Sequence, residues 1–193
     1  MSKNPQEKTE DKFLIQSYLA GETEAFPVLY ARYKVLLYNY LRHLLSGSNA
    51  ALDDLFQQTW IRVLDKLPKY RDQQQFSAWL LRIAHNLVID YYRKNRNMQQ
   101  YESGSLDDED YHFEATGQNS EPWRNMSNSE LGNAINEALK TLSPDLREVF
   151  LLRQEEYSFK EIAAIQNSSV NTVLGRMQYA LKNLRKQLAE WKS

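Results

Sequence analysis

Apolar residues recur three and four apart along the first ninety-odd positions, lapse between Asn95 and Ser127, and resume near Ser129. That spacing places them on one face of a helix and disfavours strands, whose inward residues alternate. The lapse divides the chain into two helical blocks, and 193 residues are enough for two small domains, each with its own core. The expected fold is all-α: a four-helix domain over 11–98, a linker over 99–128 and a second helical domain over 129–190. Within the linker, Ser103-Gly104-Ser105 and Leu106-Asp107-Asp108-Glu109-Asp110 read as a flexible, self-repelling segment. No internal repeat is present.

Local signals set the elements. A short first helix over Lys12 to Ala20 stops at Gly21. A long one follows from Glu24 to Leu45, with Pro27 tolerated in its first turn, and Ser46 to Asn49 break it. A third spans Ala50 to Leu67 and is stopped by Pro68. After a polar loop from Lys69 to Phe76, Ser77 is expected to cap a fourth helix that reaches Lys94. In the second block Leu131, Ile135, Ala138, Leu139 and Leu142 make one stripe, and Ser143-Pro144 opens a helix over Asp145 to Gln154. Ser158 and Glu161 form a capping box for a helix to Ile165. Gln166-Asn167-Ser168 is a turn, and Ser169 caps a last helix to Glu190.

Composition narrows the function. Without cysteine there is neither a disulfide nor a thiolate metal site, which fits a reducing interior. The stretch from Met1 to Lys12 is polar, and no segment is apolar enough to span a bilayer, so a cytoplasmic protein without stable membrane insertion is expected. The histidines His43, His85 and His112 lack a ligand spacing, and no glycine-rich phosphate loop occurs. Asp53-Asp54 reads as a surface acidic pair. No catalytic residue, metal or cofactor is expected, and the chain is not read as an enzyme.

A net charge of −1 argues at first against a nucleic-acid partner, but its distribution does not. Residues 1–98 hold 14 Lys/Arg against 10 Asp/Glu, residues 99–127 hold 7 acids and one base, and residues 176–193 hold five bases and one acid. Two mildly basic ends flank an acidic middle.

The last two helices and their turn have the dimensions of a helix-turn-helix. Small Ala163 allows a close crossing, and Asn167 suits the left-handed turn position. Val173, Met177, Ala180, Leu181, Leu184 and Leu188 form the inward stripe of the last helix. The opposite face carries Asn171, Gly175, Gln178, Lys182 and Lys186, flanked by Leu174, Arg176 and Tyr179. Amides and tyrosine near the helix start suit base edges, and the later bases suit phosphates. The plainer reading, an amphipathic helix with a solvated face, leaves the capping box, short turn and basic tail unused. The fourth helix, from Phe76 through Arg82, Asn86 and Asp90 to Arg93, Lys94 and Arg96, mixes aromatic, amide and basic residues. Such a mixture suits single-stranded DNA, whose bases stack and whose phosphates need cations, although Trp79 fits a core position better than a contact.

Phe76-x-x-Trp79-Leu-x-Arg82-Ile-Ala-x-Asn86, preceded by Asp53-Asp54-Leu-Phe-Gln57-Gln58-Thr-Trp60, resembles region two of bacterial RNA polymerase sigma factors. Leu142-Ser-Pro, Tyr157-Ser-Phe-Lys-Glu-Ile-Ala and Thr172-Val173-x-x-Arg176-x-x-x-Ala180-Leu181-x-x-Leu184-Arg185 resemble region four. Their order, with no domain between, is similar to the small extracytoplasmic-function (ECF) group, as are Leu14-Ile15-x-x-Tyr-Leu-Ala-Gly21 and Ala25-Phe26-x-x-Leu29-Tyr30. The resemblance covers residues 11–98 and 130–188.

It implies a sigma factor that binds core RNA polymerase, recognises and melts promoter DNA, and starts transcription of a specific regulon. By position it assigns Asp53, Asp54 and Gln57, with Gln58 and Trp60 on the same helix, to polymerase binding. It assigns Lys69, Tyr70, Phe76, Ser77, Arg82 and Asn86 to capture of the melted minus-ten strand, with Asp90, Arg93, Lys94 and Arg96 continuing that face. Thr172, Leu174, Gly175, Arg176, Gln178 and Tyr179 fall on minus-thirty-five contacts, with Asn171 and Lys182 added by the face they share. The resemblance further implies an anti-sigma partner and a linker that threads the polymerase channels. Leu174 and Gly175 depart from the basic and small hydroxyl residues common there, Gln58 from a common acid and Ser168 from an apolar turn residue. Two other classes compete: a helix-turn-helix regulator binding duplex DNA unaided, which leaves the fourth helix unused, and a helical interaction protein, which leaves the basic tail unused.

Overall fold

Eight α-helices and one 3₁₀ turn make up the residues described by the computed structural model, 5–45, 49–71, 75–103 and 130–189, and no strand occurs among them. The chain divides into two compact units, the first closing at Tyr92.

In the first unit α1 runs from Pro5 to Leu19, starting earlier than the apolar pattern suggests. Proline is tolerated in a first helical turn, and Gln6, Glu7 and Lys8 are good helix formers that need no buried face. Gly21 then takes φ +104°, a conformation that a Cβ penalises, and the chain turns into α2, Ala25–Leu44. The carboxylate of buried Asp11 accepts from the Arg32 guanidinium and the Tyr33 hydroxyl, tying α1 to α2. α3 spans Asn49–Lys66, and Pro68 does not stop the chain outright, because Leu67–Lys69 tighten into the 3₁₀ turn.

α4 spans Phe76–Ser103, which corrects two expectations. The helix is already under way at Ser77, which is buried; the Trp79 N–H donates to the Gln75 carbonyl at 3.2 Å, so Gln75 holds the capping position. The helix also outruns both Lys94 and the expected linker boundary at 99. Residues 95–103 have lost the apolar repeat but contain no glycine or proline, so propensity alone lets the helix continue. The Tyr92 hydroxyl donates to the Leu44 carbonyl at 2.6 Å, satisfying an otherwise orphaned group at the end of α2. The break at Ser46–Ser48, residues 72–74 of the loop, the linker from 104 to 129 and Glu190 itself lie outside the described residues, and the last helix, expected to reach Glu190, ends at Gln187.

The second unit contains α5, Glu130–Lys140; α6, Pro144–Gln154; α7, Phe159–Ile165; and α8, Val170–Gln187. Its core gathers Ala138, Leu139 and Leu142 from the α5 stripe with Leu151, Ala180 and Leu184. Buried Arg147 donates to the carbonyls of Leu139 (2.9 Å), Lys140 (2.7 Å) and Leu142 (3.1 Å), closing the C-terminal end of α5. After α6, Glu156 takes φ +65°, and the Arg153 guanidinium holds the turn by donating to the Tyr157 carbonyl at 2.5 Å while lying 4.7 Å above the Phe159 ring.

Candidate nucleic-acid interface

α7, the turn and α8 form the expected helix-turn-helix. The Ser158 hydroxyl accepts the Glu161 N–H at 3.2 Å while the Glu161 carboxylate accepts the Ser158 N–H at 2.8 Å, completing the capping box. Asn167 takes φ +52°, the left-handed conformation the turn requires. Ser169 caps α8 by accepting the Thr172 N–H at 3.0 Å. Ala163 is buried at the crossing, and Val173, Ala180 and Leu184 face the core, flanked by half-buried Met177, Leu181 and Leu188.

Asn171, Thr172, Leu174, Gly175, Gln178, Tyr179 and Lys182 are all exposed, Tyr179 to 61%. The Lys182 ammonium lies 6.0 Å above the Tyr179 ring. Arg176 behaves differently from the other expected contacts. Its side chain is half-buried; Nη2 donates to Asp145 Oδ2 at 2.7 Å and Nη1 to Gln166 Oε1 at 2.8 Å. The Gln166 amide nitrogen in turn donates to buried Glu148 (2.8 Å) and to the Asp145 carbonyl (3.1 Å). Arg176 is therefore part of a polar brace joining α6, the turn and α8. Sequence reading missed Asp145, Arg147, Glu148 and Gln166; the available signal was a charged pair, Arg147-Glu148, set between Leu146 and Val149 within the apolar register.

In the first unit Arg82, Asn86 and Arg93 stand at four- and seven-residue steps along one exposed face of α4, with exposed Ile89 among them. Lys94 is exposed beside them and Asp90 is half-buried; the side chain of Arg96 lies outside the described residues. Exposed Lys69 precedes half-buried Tyr70, whose ring lies 4.8 Å from Trp79. Phe76, 2% exposed, and Ser77 are buried, which corrects their assignment to the strand-facing surface. Phe76 instead packs between the rings of Tyr33 (5.1 Å) and Trp79 (5.5 Å), forming the floor beneath Tyr70. Trp79 is half-buried in that cluster, as its core-like position suggested.

On α3, Asp53, Asp54 and Gln57 are exposed, and half-buried Gln58 donates to Asp54 at 2.8 Å. Exposed Ile61 and Leu64 extend the face of Asp53 and Gln57. Trp60, 6% exposed, does not share it: its ring packs 4.9 Å from Tyr30 and 5.8 Å from Phe26, inside the α2–α3 contact.

The described residues thus form two helical units, the first with a polar face on α4 and an aromatic cluster at Tyr70, Phe76 and Trp79, the second with a helix-turn-helix, a motif of DNA-binding proteins. Residues 29–98 match Sigma-70 region 2 and residues 132–184 match Sigma-70, region 4. The chain is 30% identical over 166 residues to the ECF RNA polymerase sigma factor SigX of Bacillus subtilis, covering 86% of this chain and 84% of that protein. It is 27% identical over 173 residues to the ECF sigma factor BldN of Streptomyces coelicolor, covering 89% of this chain but 60% of that longer protein. Its fold is similar to that of the sigma factor RpoE of Bartonella quintana, crystallised with the anti-sigma factor NepR, at a TM-score of 0.66 and 24% identity over 85% of this chain and 96% of that one. The chain belongs to the extracytoplasmic-function RNA polymerase sigma factors.

Proposed function

We propose that this chain binds bacterial core RNA polymerase and directs it to a specific set of promoters, with α8 reading the minus-thirty-five element in the major groove and α4 engaging the melted minus-ten strand. The observation carrying this reading is the pairing of two exposed faces within the two family-matching regions: Asn171, Leu174, Gln178 and Tyr179 on α8, and Arg82, Asn86, Arg93 and Lys94 on α4. Amides and apolar side chains near the start of a recognition helix address base edges. Cations beside an aromatic cluster address phosphates and unstacked bases. Lys69 and Tyr70 border the same cluster.

Core polymerase docks on the α3 face of Asp53, Asp54 and Gln57, with Ile61 and Leu64 supplying apolar area. The protein acts in the cytoplasm, where core polymerase resides, and contributes no catalytic group of its own. An anti-sigma protein is an expected partner; the similarly folded Bartonella protein was crystallised in complex with one. The linker spans the two DNA-facing units.

Transcription in vitro with the purified chain, core polymerase and a fragmented bacterial genome tests the reading. Discrete start sites sharing two upstream motifs are expected. Core binding without starts overturns promoter recognition, and absence of both overturns the whole proposal.

A further inference from the structure

The aromatic cluster beside the polar face of α4 has a support that reaches outside the elements carrying the expected strand contacts. Phe76, the floor beneath Tyr70, also packs on Tyr33 of α2, with ring centroids 5.1 Å apart. From Phe76 the rings run on to Tyr70 (5.8 Å) and Trp79 (5.5 Å), and Tyr70 lies 4.8 Å from Trp79. The Tyr33 hydroxyl donates to the carboxylate of Asp11 on α1, which also accepts from the Arg32 guanidinium. A line of direct contacts therefore joins α1 to the strand-capture loop: Asp11, Tyr33, Phe76, Tyr70. α1 itself lies ahead of residues 29–98, the part of the chain that matches region 2.

Ring-on-ring packing tolerates a range of offsets and tilts, so it does not by itself fix where Tyr70 stands. A hydrogen bond at the far end of the line does, because holding the Tyr33 oxygen at one point limits the torsions of that side chain. The acceptor is well chosen for this. Asp11 is only 7% exposed, and a carboxylate so buried is costly unless paired, a charge that Arg32 supplies. An ionised acceptor makes the bond from Tyr33 roughly twice as strong as one between neutral groups. Attachment of α1 to α2 alone would be served by buried Ile15 and by the contact of Tyr18 with Phe26 at 5.4 Å, which need no buried charge. The polar anchor adds direction, and it adds it to a ring that bears on Phe76.

We infer that Asp11 and Tyr33 are positioning residues for capture of the melted minus-ten strand: the Asp11 carboxylate fixes the Tyr33 ring, which sets Phe76 and through it the surface that Tyr70 offers to an unstacked base. This rests on the proposed promoter-recognition role, in which Tyr70 borders the strand-binding face.

The test uses the holoenzyme of core polymerase and the full chain. It measures binding of a fluorescent single strand that carries the non-template minus-ten sequence of a promoter mapped with this chain. Tyr70→Ala should weaken binding by about tenfold, the scale of one lost base–aromatic stack. Tyr33→Phe keeps the ring and removes only its hydroxyl; it and Asp11→Asn should each weaken binding about three- to tenfold, the scale of one hydrogen bond. In a Tyr70→Ala background, Tyr33→Phe should cost nothing further, because the anchored ring then has nothing to place. Arg32→Gln removes the ion pair but leaves the Tyr33 bond to Asp11, and should lower the thermal unfolding midpoint with strand affinity unchanged. Affinity for core polymerase should stay constant throughout. Unchanged strand affinity in Tyr33→Phe overturns the inference, as does an equal loss with and without Tyr70. Losses that simply follow stability through Tyr33→Phe and Arg32→Gln, or that include core affinity, overturn it in favour of a purely structural tie. An unaltered holoenzyme that binds the strand no better than a scrambled one overturns the promoter-recognition reading beneath it, so the two failures are distinguishable.

Discussion

Arg176 Nη2 lies 2.7 Å from Asp145 Oδ2, so the helix carrying the DNA-facing residues is pinned to the first turn of α6. The two side chains are 25% and 40% exposed, and solvent screening holds such a pair to about 0.5–1 kcal/mol. A double-mutant cycle with Asp145→Ala and Arg176→Ala should return a coupling energy in that range. Urea unfolding with amide exchange read on α8 would measure it. Arg176→Ala should cost more than Asp145→Ala, because it also removes the partner of the Gln166 amide oxygen. Equal, additive losses would show that the brace is not acting as a unit.

Polymerase binding and domain stability should separate along α3. Trp60 packs against Phe26 and Tyr30 inside the first unit, so Trp60→Ala should cost about 3–5 kcal/mol and lose core binding through unfolding. Asp53→Ala and Gln57→Ala change exposed side chains and should move stability by less than about 0.5 kcal/mol. If α3 is the docking face, both nonetheless weaken binding to core polymerase, measured by competition with a labelled sigma factor. Unchanged binding in both would relocate the docking face.

The architecture was legible because its signals are local. Gly21, Ser143-Pro144, the Ser158–Glu161 box, Asn167 and Ser169 each act within a few residues, and each stands where the sequence pattern placed it. Two kinds of information were not local. Ser77 resembles a helix cap until tertiary burial is known, and α4 passes residue 94 because the sequence of 95–103 holds no helix breaker, although its apolar repeat has lapsed. The site shows the same division. Exposed positions such as Gln178 and Arg82 follow from helical phase, whereas the burial of Phe76 and Trp60 and the capture of Arg176 depend on partners outside their own helix, such as Asp145, 31 positions from Arg176.

Arg147 gives a sharper stability test. Its guanidinium serves three carbonyls at the end of α5, and charge-assisted bonds from a buried fork are not replaced by water. Arg147→Met should destabilise the second unit by about 2–4 kcal/mol, combining lost bonds with unsatisfied carbonyls. Arg147→Lys should recover only part, since an ammonium cannot match the planar fork. Thermal unfolding of the three proteins provides the comparison, and full recovery by lysine would mean that charge alone suffices.

Promoter opening should depend on α4 without depending on its stability. Arg82→Ala and Asn86→Ala alter exposed positions and should leave the first unit folded, with changes below about 0.5 kcal/mol. Both should reduce permanganate reactivity of unpaired thymines at the mapped start site. A template with the minus-ten region already unpaired should rescue them if the loss lies in opening, since the unstacking cost of a few kcal/mol has then been met in advance. Loss on the unpaired template as well would assign these residues to holding the captured strand.

Gly175 sets helix stability against close approach. A glycine within a helix costs about 0.5–1 kcal/mol relative to alanine, and a Cβ at this position meets nothing within 4 Å in the protein itself. Gly175→Ala should therefore stabilise the second unit by roughly that amount, seen as a higher urea midpoint and slower amide exchange in α8. On the proposed interface the added methyl group stands at the centre of the base-facing surface, between Asn171 and Gln178. Transcription that depends on the minus-thirty-five element should fall even as the domain becomes more stable. Opposite signs for stability and activity are the diagnostic outcome, because a purely structural role for Gly175 would make both rise together. If both rise, the centre of α8 does not approach the DNA as closely as proposed, and base contacts would have to come from the Leu174 and Tyr179 flanks.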